Sequence, residues 1–156
     1  MEQRMKEFAM TDREIAEFLL SAAVGRISTF GSDGYPYTVA VHFVMQDGNI
    51  YFHCLPWGEK MGNIKNNRNV CFEVDEFIGL AIGNPKNPCK TGSKYKSVVI
   101  RGTAEVVDET ALKEKALTEI VRKYTPQLKD IRIPEENLTG TAVVKITPKI
   151  ITGKAR

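Results

Sequence analysis

The sequence predicts a mainly β chain, a small antiparallel β-barrel of six or seven strands with peripheral helices. Three observations carry this. The β-rich runs are joined by turns too short for parallel crossovers, such as Gly31 to Gly34 and the Asp47-Gly48 pair. Only two segments carry a clear helical stripe. Gly102 interrupts the longest strand, where a sheet can bend and close on itself, removing its edges.

The elements follow in order. Thr11 and Glu14 read as a capping box, with Met10 and Ile15 at the positions of a hydrophobic staple. Ile15, Phe18, Leu19 and Ala22 then mark a short amphipathic helix. Val24 to Phe30, Tyr37 to Met45 and Ile50 to Cys54 read as a three-strand meander. The second of these is almost uncharged, which predicts burial on both faces. Met61 and Ile64 suit a short helix over 59–67. Asn69 to Val74 is a fourth strand. Residues 77–94 hold Gly83, Pro85, Pro88 and Gly92 and read mostly as loop. Tyr95 to Val107 is the longest strand, and Asp108 is placed to cap a second helix. Leu112, Ala116, Ile120 and Tyr124 form that helix's stripe, which Thr125-Pro126 ends. Residues 127–140 read as polar and irregular. Thr141 to Ile146 and Ile150 to Gly153 are closing strands, parted by Pro148. No repeat or linker divides the chain, so residues 1–156 form one domain.

Composition excludes several classes. With 42% apolar and 26% charged residues the chain is neither disordered nor collagen-like. No apolar run approaches the ~20 residues that span a bilayer. The start, MEQRMKEFAM, lacks the apolar core of a secretory signal. Cys54, Cys71 and Cys89 are odd in number and lack zinc spacing, which suits reduced thiols and a cytoplasmic location. A net charge of +3 is too weak to argue for nucleic acid. Its distribution is more informative. No acid stands between Glu76 and Glu105, while Lys86, Lys90, Lys94, Lys96 and Arg101 do. No acid follows Glu136, while Lys145, Lys149, Lys154 and Arg156 do. Such segments suit a phosphorylated ligand, although solvated lysines would give the same pattern.

The only two histidines, His42 and His53, face each other across the hairpin that turns at Gly48. An imidazole in such apolar strands needs a polar partner or a ligand. Metal binding by His42, His53 and Cys54 lacks signature spacing. The run from Gly83 to Thr91 is no phosphate loop, because Pro88 stands where glycine is needed. There is no GxSxG and no GxGxxG. Lys60 opens the short helix, where unpaired N–H groups and the dipole favour an anion.

In their order and spacing, several stretches resemble the flavin-binding split-barrel proteins related to pyridoxamine 5'-phosphate oxidase. Within that group the chain looks most like the nitroimidazole-resistance branch. The stretches are VGRISTFGSDGYPYTVAVHF, GNIYFHCLPWGEKMGNIKNNRNVCFEVDE, PCK, KYKSVVIRGTAEVV and ITGKAR, running from about Val24 to Arg156. The resemblance implies an antiparallel split barrel that binds FMN at the interface of a homodimer. It places Tyr37, Thr38, Val39, Ala40, Val41 and His42 along the flavin and its ribityl chain. It places Phe52 and His53 beside the phosphate end and Lys60 on the phosphate. Ser97 falls near the flavin ring, and Lys154 and Arg156 in a segment that approaches the partner's flavin. Glu59 stands where the superfamily often has a basic residue. The segment that binds pyridoxal phosphate in the true oxidases is not evident.

The expected function is therefore an oxidoreductase, nitroreductase-like rather than a pyridoxamine phosphate oxidase. It would pass electrons from a nicotinamide donor to a small oxidised or nitro acceptor, with His42 donating a proton or hydrogen bond. Two alternatives stand beside it. One is a flavin- or haem-binding module without catalysis. The other is a small barrel that stacks nucleic-acid bases on Tyr35, Tyr37, Phe43, Tyr51 and Phe52.

Overall fold

The structure is a computed structural model that describes residues 6–83 and 86–156. The first five residues and Pro85 of the predicted loop lie outside the described residues. Seven strands form one antiparallel sheet: β1 (Gly25–Phe30), β2 (Pro36–Val41), β3 (Phe43–Gln46), β4 (Asn49–Cys54), β5 (Asn69–Ile82), β6 (Thr91–Val106) and β7 (Ala142–Ala155). Among the described residues it is flanked by the α-helices α1 (Asp12–Ser21), α2 (Glu59–Asn66), α3 (Thr110–Tyr124) and α4 (Glu135–Gly140).

The sheet order is β2-β1-β5-β6-β7-β4-β3. The expected three-strand meander is therefore two hairpins, at opposite ends of the sheet. The predicted strand from Tyr37 to Met45 breaks at His42. Its first half pairs only with β1 and its second only with β4. β2 is consequently a half-exposed edge strand rather than one buried on both faces. The sheet rolls so that its two end strands meet through one residue, His42. No ladder joins β2 to β3, so the roll is split and the expected closure does not occur.

Local chemistry explains most of the elements. Thr11 Oγ1 accepts from the Glu14 N–H while the Glu14 carboxylate accepts from the Thr11 N–H, completing the capping box of α1. Asp47 (φ 50°) and Gly48 (φ 74°) form the left-handed pair that a two-residue hairpin needs. The register with β7 shifts at Gly102, as expected of a bulge, with Lys149 as the extra residue. A Cβ there would lie 2.3 Å from the Thr147 carbonyl oxygen. That close approach lets β7 run through Pro148, opposite Gly102, so the two predicted closing strands are one. The expected loop over 77–94 also shrinks. β5 and β6 stay paired out to Ile82 and Thr91, and a register shift between Phe77 and Gly79 absorbs the irregularity. Glu109 rather than Asp108 takes the N-cap of α3, because Val107 remains tied to the Val143 carbonyl at 2.8 Å. Within the segment read as irregular, α4 anchors itself by one buried residue, Leu138, too few to show a period.

Two apolar clusters hold the fold. The larger fills the inside of the roll with Ile27, Phe43, Phe52, Phe72, Ile100 and Ile146, and α1 and α2 seal it with Phe18, Leu19, Met61 and Ile64. The smaller lies under α3, where Ala116, Leu117 and Ile120 pack on Val44, Tyr51 and Val143. Among the described residues no helix is long and apolar enough to cross a membrane.

Candidate functional site

The break between β2 and β3 gathers chemistry. The ladder pairs Phe43 with Phe52, so His42 and His53 take the next opposed place beyond it. Both are exposed at the sheet margin. The His53 pKa is held below its ordinary value, first by desolvation and then by the positive fields of His42 and Lys60. Three basic groups from β4, α2 and the strand break thus share one small region. Burial pushes the Cys54 thiol up, opposed by the same Lys60, and the thiol lies 3.6 Å from Met61 Sδ.

α2 begins at Gly58, whose φ of 104° suits glycine, and no side chain caps its first turn. Lys60 sits half-buried in that turn. Its position adds positive charge where the helix end is already positive.

Edge strand β2 presents an alternating face. Tyr37, Val39 and Val41 are half-buried, and Val39 and Val41 pack on the main core. Thr38 and Ala40 point outward, and Thr38 Oγ1 lies 2.8 Å from Ser28 Oγ. Phe52 is fully buried in the core, so its ring has no access to a ligand and only its backbone borders the site.

Ser97, Lys154 and Arg156 lie elsewhere. Ser97 pairs with Lys154 across β6 and β7, whereas His53 pairs with Val143 at the other end of β7. From Val143 to Lys154 the strand spans up to ~36 Å. Lys154 and Arg156 join Lys90, Tyr95 and Phe8 around a cavity of ≈ 520 Å³. The two acid-free segments thus meet here, with Lys90 from one and Lys154 and Arg156 from the other. Among the described residues no acidic side chain lines this cavity. Alongside it, the outer part of β5 exposes Phe77, Leu80 and Ile82, with Phe77 opposite Tyr95 and Ile82 opposite Thr91.

Two residues that the sequence reading placed only in a helix stripe, or not at all, belong to the site. Tyr124 stacks on His42, ring centroids 4.3 Å apart and planes 21° apart. Its hydroxyl accepts from the Phe43 N–H at 2.9 Å and lies 2.8 Å from the Ala23 carbonyl. Lys123 donates to the Phe43 carbonyl at 3.1 Å, with its Nζ 4.2 Å from the Phe43 ring centroid. Desolvation lowers the Lys123 pKa to about 8. No local pattern signals these contacts, which span about 80 residues or more. Among the described residues no group of three histidine, cysteine or acidic side chains could hold a metal.

Comparison with known proteins places this geometry. The family model for pyridoxamine 5'-phosphate oxidase matches residues 11–155. A candidate 5-nitroimidazole antibiotic resistance protein from Bacteroides thetaiotaomicron superposes with a TM-score of 0.78 at 24% identity, over 94% of this chain and 85% of that one. A flavocytochrome from Azotobacter vinelandii superposes with a TM-score of 0.85 at 21% identity, over 99% and 72%. An FAD- and haem-binding protein from Mycobacterium smegmatis gives 0.82 at 13% identity, over 93% and 71%. At these identities the likeness speaks for the fold alone. No curated protein matches the sequence.

Proposed function

From the premise that the chain belongs to the pyridoxamine 5'-phosphate oxidase family, we propose that it is an FMN-binding oxidoreductase of the nitroreductase-like kind, working as a homodimer in the cytoplasm. Bound FMN would supply the redox chemistry, moving electrons from a nicotinamide donor to a small oxidised or nitro acceptor. The observation that carries this reading is the His42, His53 and Lys60 cluster at the break between the two end strands. His53 is disfavoured in its charged form first by desolvation and then by the fields of His42 and Lys60. A phosphate seated between His53 and Lys60 relieves that crowding, and the uncapped start of α2 adds free N–H donors. The residues present therefore fit the phosphate of a flavin mononucleotide.

The remaining assignments follow the strand geometry. Edge strand β2 offers unpaired backbone groups and the small outward Thr38 and Ala40 to the ring and ribityl chain, while Tyr37, Val39 and Val41 back them. Phe52 contributes backbone only. His42 presents its ring N–H as a proton donor towards the acceptor. Ser97, Lys154 and Arg156 lie at the far end of β7 and its neighbour β6, too far to serve the same flavin as Lys60, so a partner's copies would complete the site. The exposed Phe77, Leu80 and Ile82 beside the basic cavity support such an interface.

The test is turnover of NADH or NADPH with a nitro acceptor, per bound flavin. His42→Ala is expected to keep its FMN and lose about 10²-fold in rate, the scale of one general acid. Unchanged turnover in that variant would remove His42 from the site. A haem spectrum in place of a flavin spectrum would move the reading to a haem-binding module.

A further inference from the structure

We infer that Tyr124 is a positioning residue for His42, an inference that rests on the proposed role of His42 at the flavin. His42 is exposed and belongs to neither strand, so strand packing does not fix its ring. One aromatic plane does. The Tyr124 ring lies nearly parallel to the imidazole at 4.3 Å. A free surface ring would have nothing to hold it in turn, but this one is anchored on three segments.

The anchoring follows from counting protons. The Tyr124 hydroxyl has one hydrogen and two carbonyls in reach, Phe43 at 2.9 Å and Ala23 at 2.8 Å. Lys123 already donates to the Phe43 carbonyl at 3.1 Å. Donation of the hydroxyl hydrogen to Ala23 leaves both carbonyls with a donor, while the hydroxyl lone pair receives the Phe43 N–H. Tyr124 thus ties the end of α3 to the entry of β1 and to the first residue of β3, the residue after His42. The phenol covers one face of the imidazole and leaves the other to a ligand. With one face covered and the backbone on its C-terminal side pinned, His42 keeps a fixed orientation before the ligand arrives.

Three variants separate the ring from the hydroxyl. Tyr124→Phe loses the hydrogen bonds and keeps the stack. Tyr124→Leu and Tyr124→Met lose both, and Met serves if Leu does not fold. The chain has only two histidines, so their ring-proton NMR signals are assigned by a single His42→Asn control. In the native protein and in Tyr124→Phe the His42 ring protons should lie upfield, shielded by the neighbouring ring. In Tyr124→Leu or Tyr124→Met they should return to free-histidine positions. In the FMN-loaded protein, kcat with a nitro acceptor should fall about 10-fold or more in the ringless variants, since misplacing a reacting group costs of that order. KM and the FMN Kd should stay within about twofold of native, because the phosphate anchor is untouched. His42 signals that ignore the loss of the ring would overturn the inference, as would ringless variants with native kcat per bound flavin. A native protein that holds FMN but turns over no acceptor would sink the proposed function, while the ring-proton shifts still decide whether Tyr124 holds His42.

Discussion

The Lys123 ammonium lies 4.2 Å from the centroid of the Phe43 ring and donates to the carbonyl of the same residue. It thus buries its charge against the residue that follows the strand break. Desolvation brings its pKa from 10.5 down to about 8. The sign follows from linkage. Between about pH 8 and 10.5 the unfolded chain holds a proton on Lys123 that the folded chain has released. The contribution of Lys123 to stability therefore rises with pH across that window and is flat below it. Cys54, Cys71 and Tyr124, whose folded pKa values are raised, work in the opposite sense above about pH 9. The comparison with Lys123→Met isolates the lysine. Denaturant melts should show native stability gaining on the variant from pH 8 upward, and a constant gap would refute the assignment.

His53 couples the site to pH in a second way. Its folded pKa is depressed, mainly by desolvation, with His42 and Lys60 adding to it. In the free protein its neutral form therefore stabilises the fold above pH 6.5, and that stability is lost as pH falls through the folded pKa. An anion beside His53 and Lys60 reverses the preference and favours the charged ring. FMN binding should then take up a proton and tighten on acidification from neutral pH towards pH 6.5 and just below. His53→Asn should remove most of that dependence, while riboflavin, without a phosphate, should show little of it in either protein. A native FMN affinity that is flat over this range would separate His53 from the phosphate.

Lys60→Ala should weaken FMN binding by about 1.5–3 kcal/mol, the range for a hydrogen bond to a charged group. Its place in the first turn of α2, at an end no side chain caps, motivates the figure. Riboflavin should be indifferent to the change. Equal losses for FMN and riboflavin, measured by fluorescence titration, would mean that Lys60 acts through the fold.

Much of the architecture is legible in the sequence because it is encoded locally. The capping box at Thr11, the left-handed Asp47-Gly48 pair and the bulge at Gly102 each depend on residues a few places apart. So does the opposition of His42 and His53, which is fixed by a tight hairpin. The break at His42 is not local. It arises where the chain leaves one end of the sheet for the other, and Tyr124 and Lys123 hold it from about 80 residues away. The long β5–β6 ladder was hidden for a different reason. Glycine and proline near residues 83–92 read as loop, yet the pairing runs on through Gly79 and Gly92. Sequence order also could not reveal that Lys60 and Lys154 belong to opposite ends of one protomer. Strand pairing decides that separation, through Val143 and Ser97.

In the proposed dimer one flavin site is built from two copies of this chain. Light scattering on the FMN-reconstituted protein, with absorbance read on the same peak, tests it most directly. The account predicts a particle of twice the chain mass, carrying one FMN for each chain. It also predicts that Phe77→Asp with Leu80→Asp loses the dimer and the flavin together, while circular dichroism stays native. A monomer that retains FMN, or a dimer with no affinity for it, would contradict the account.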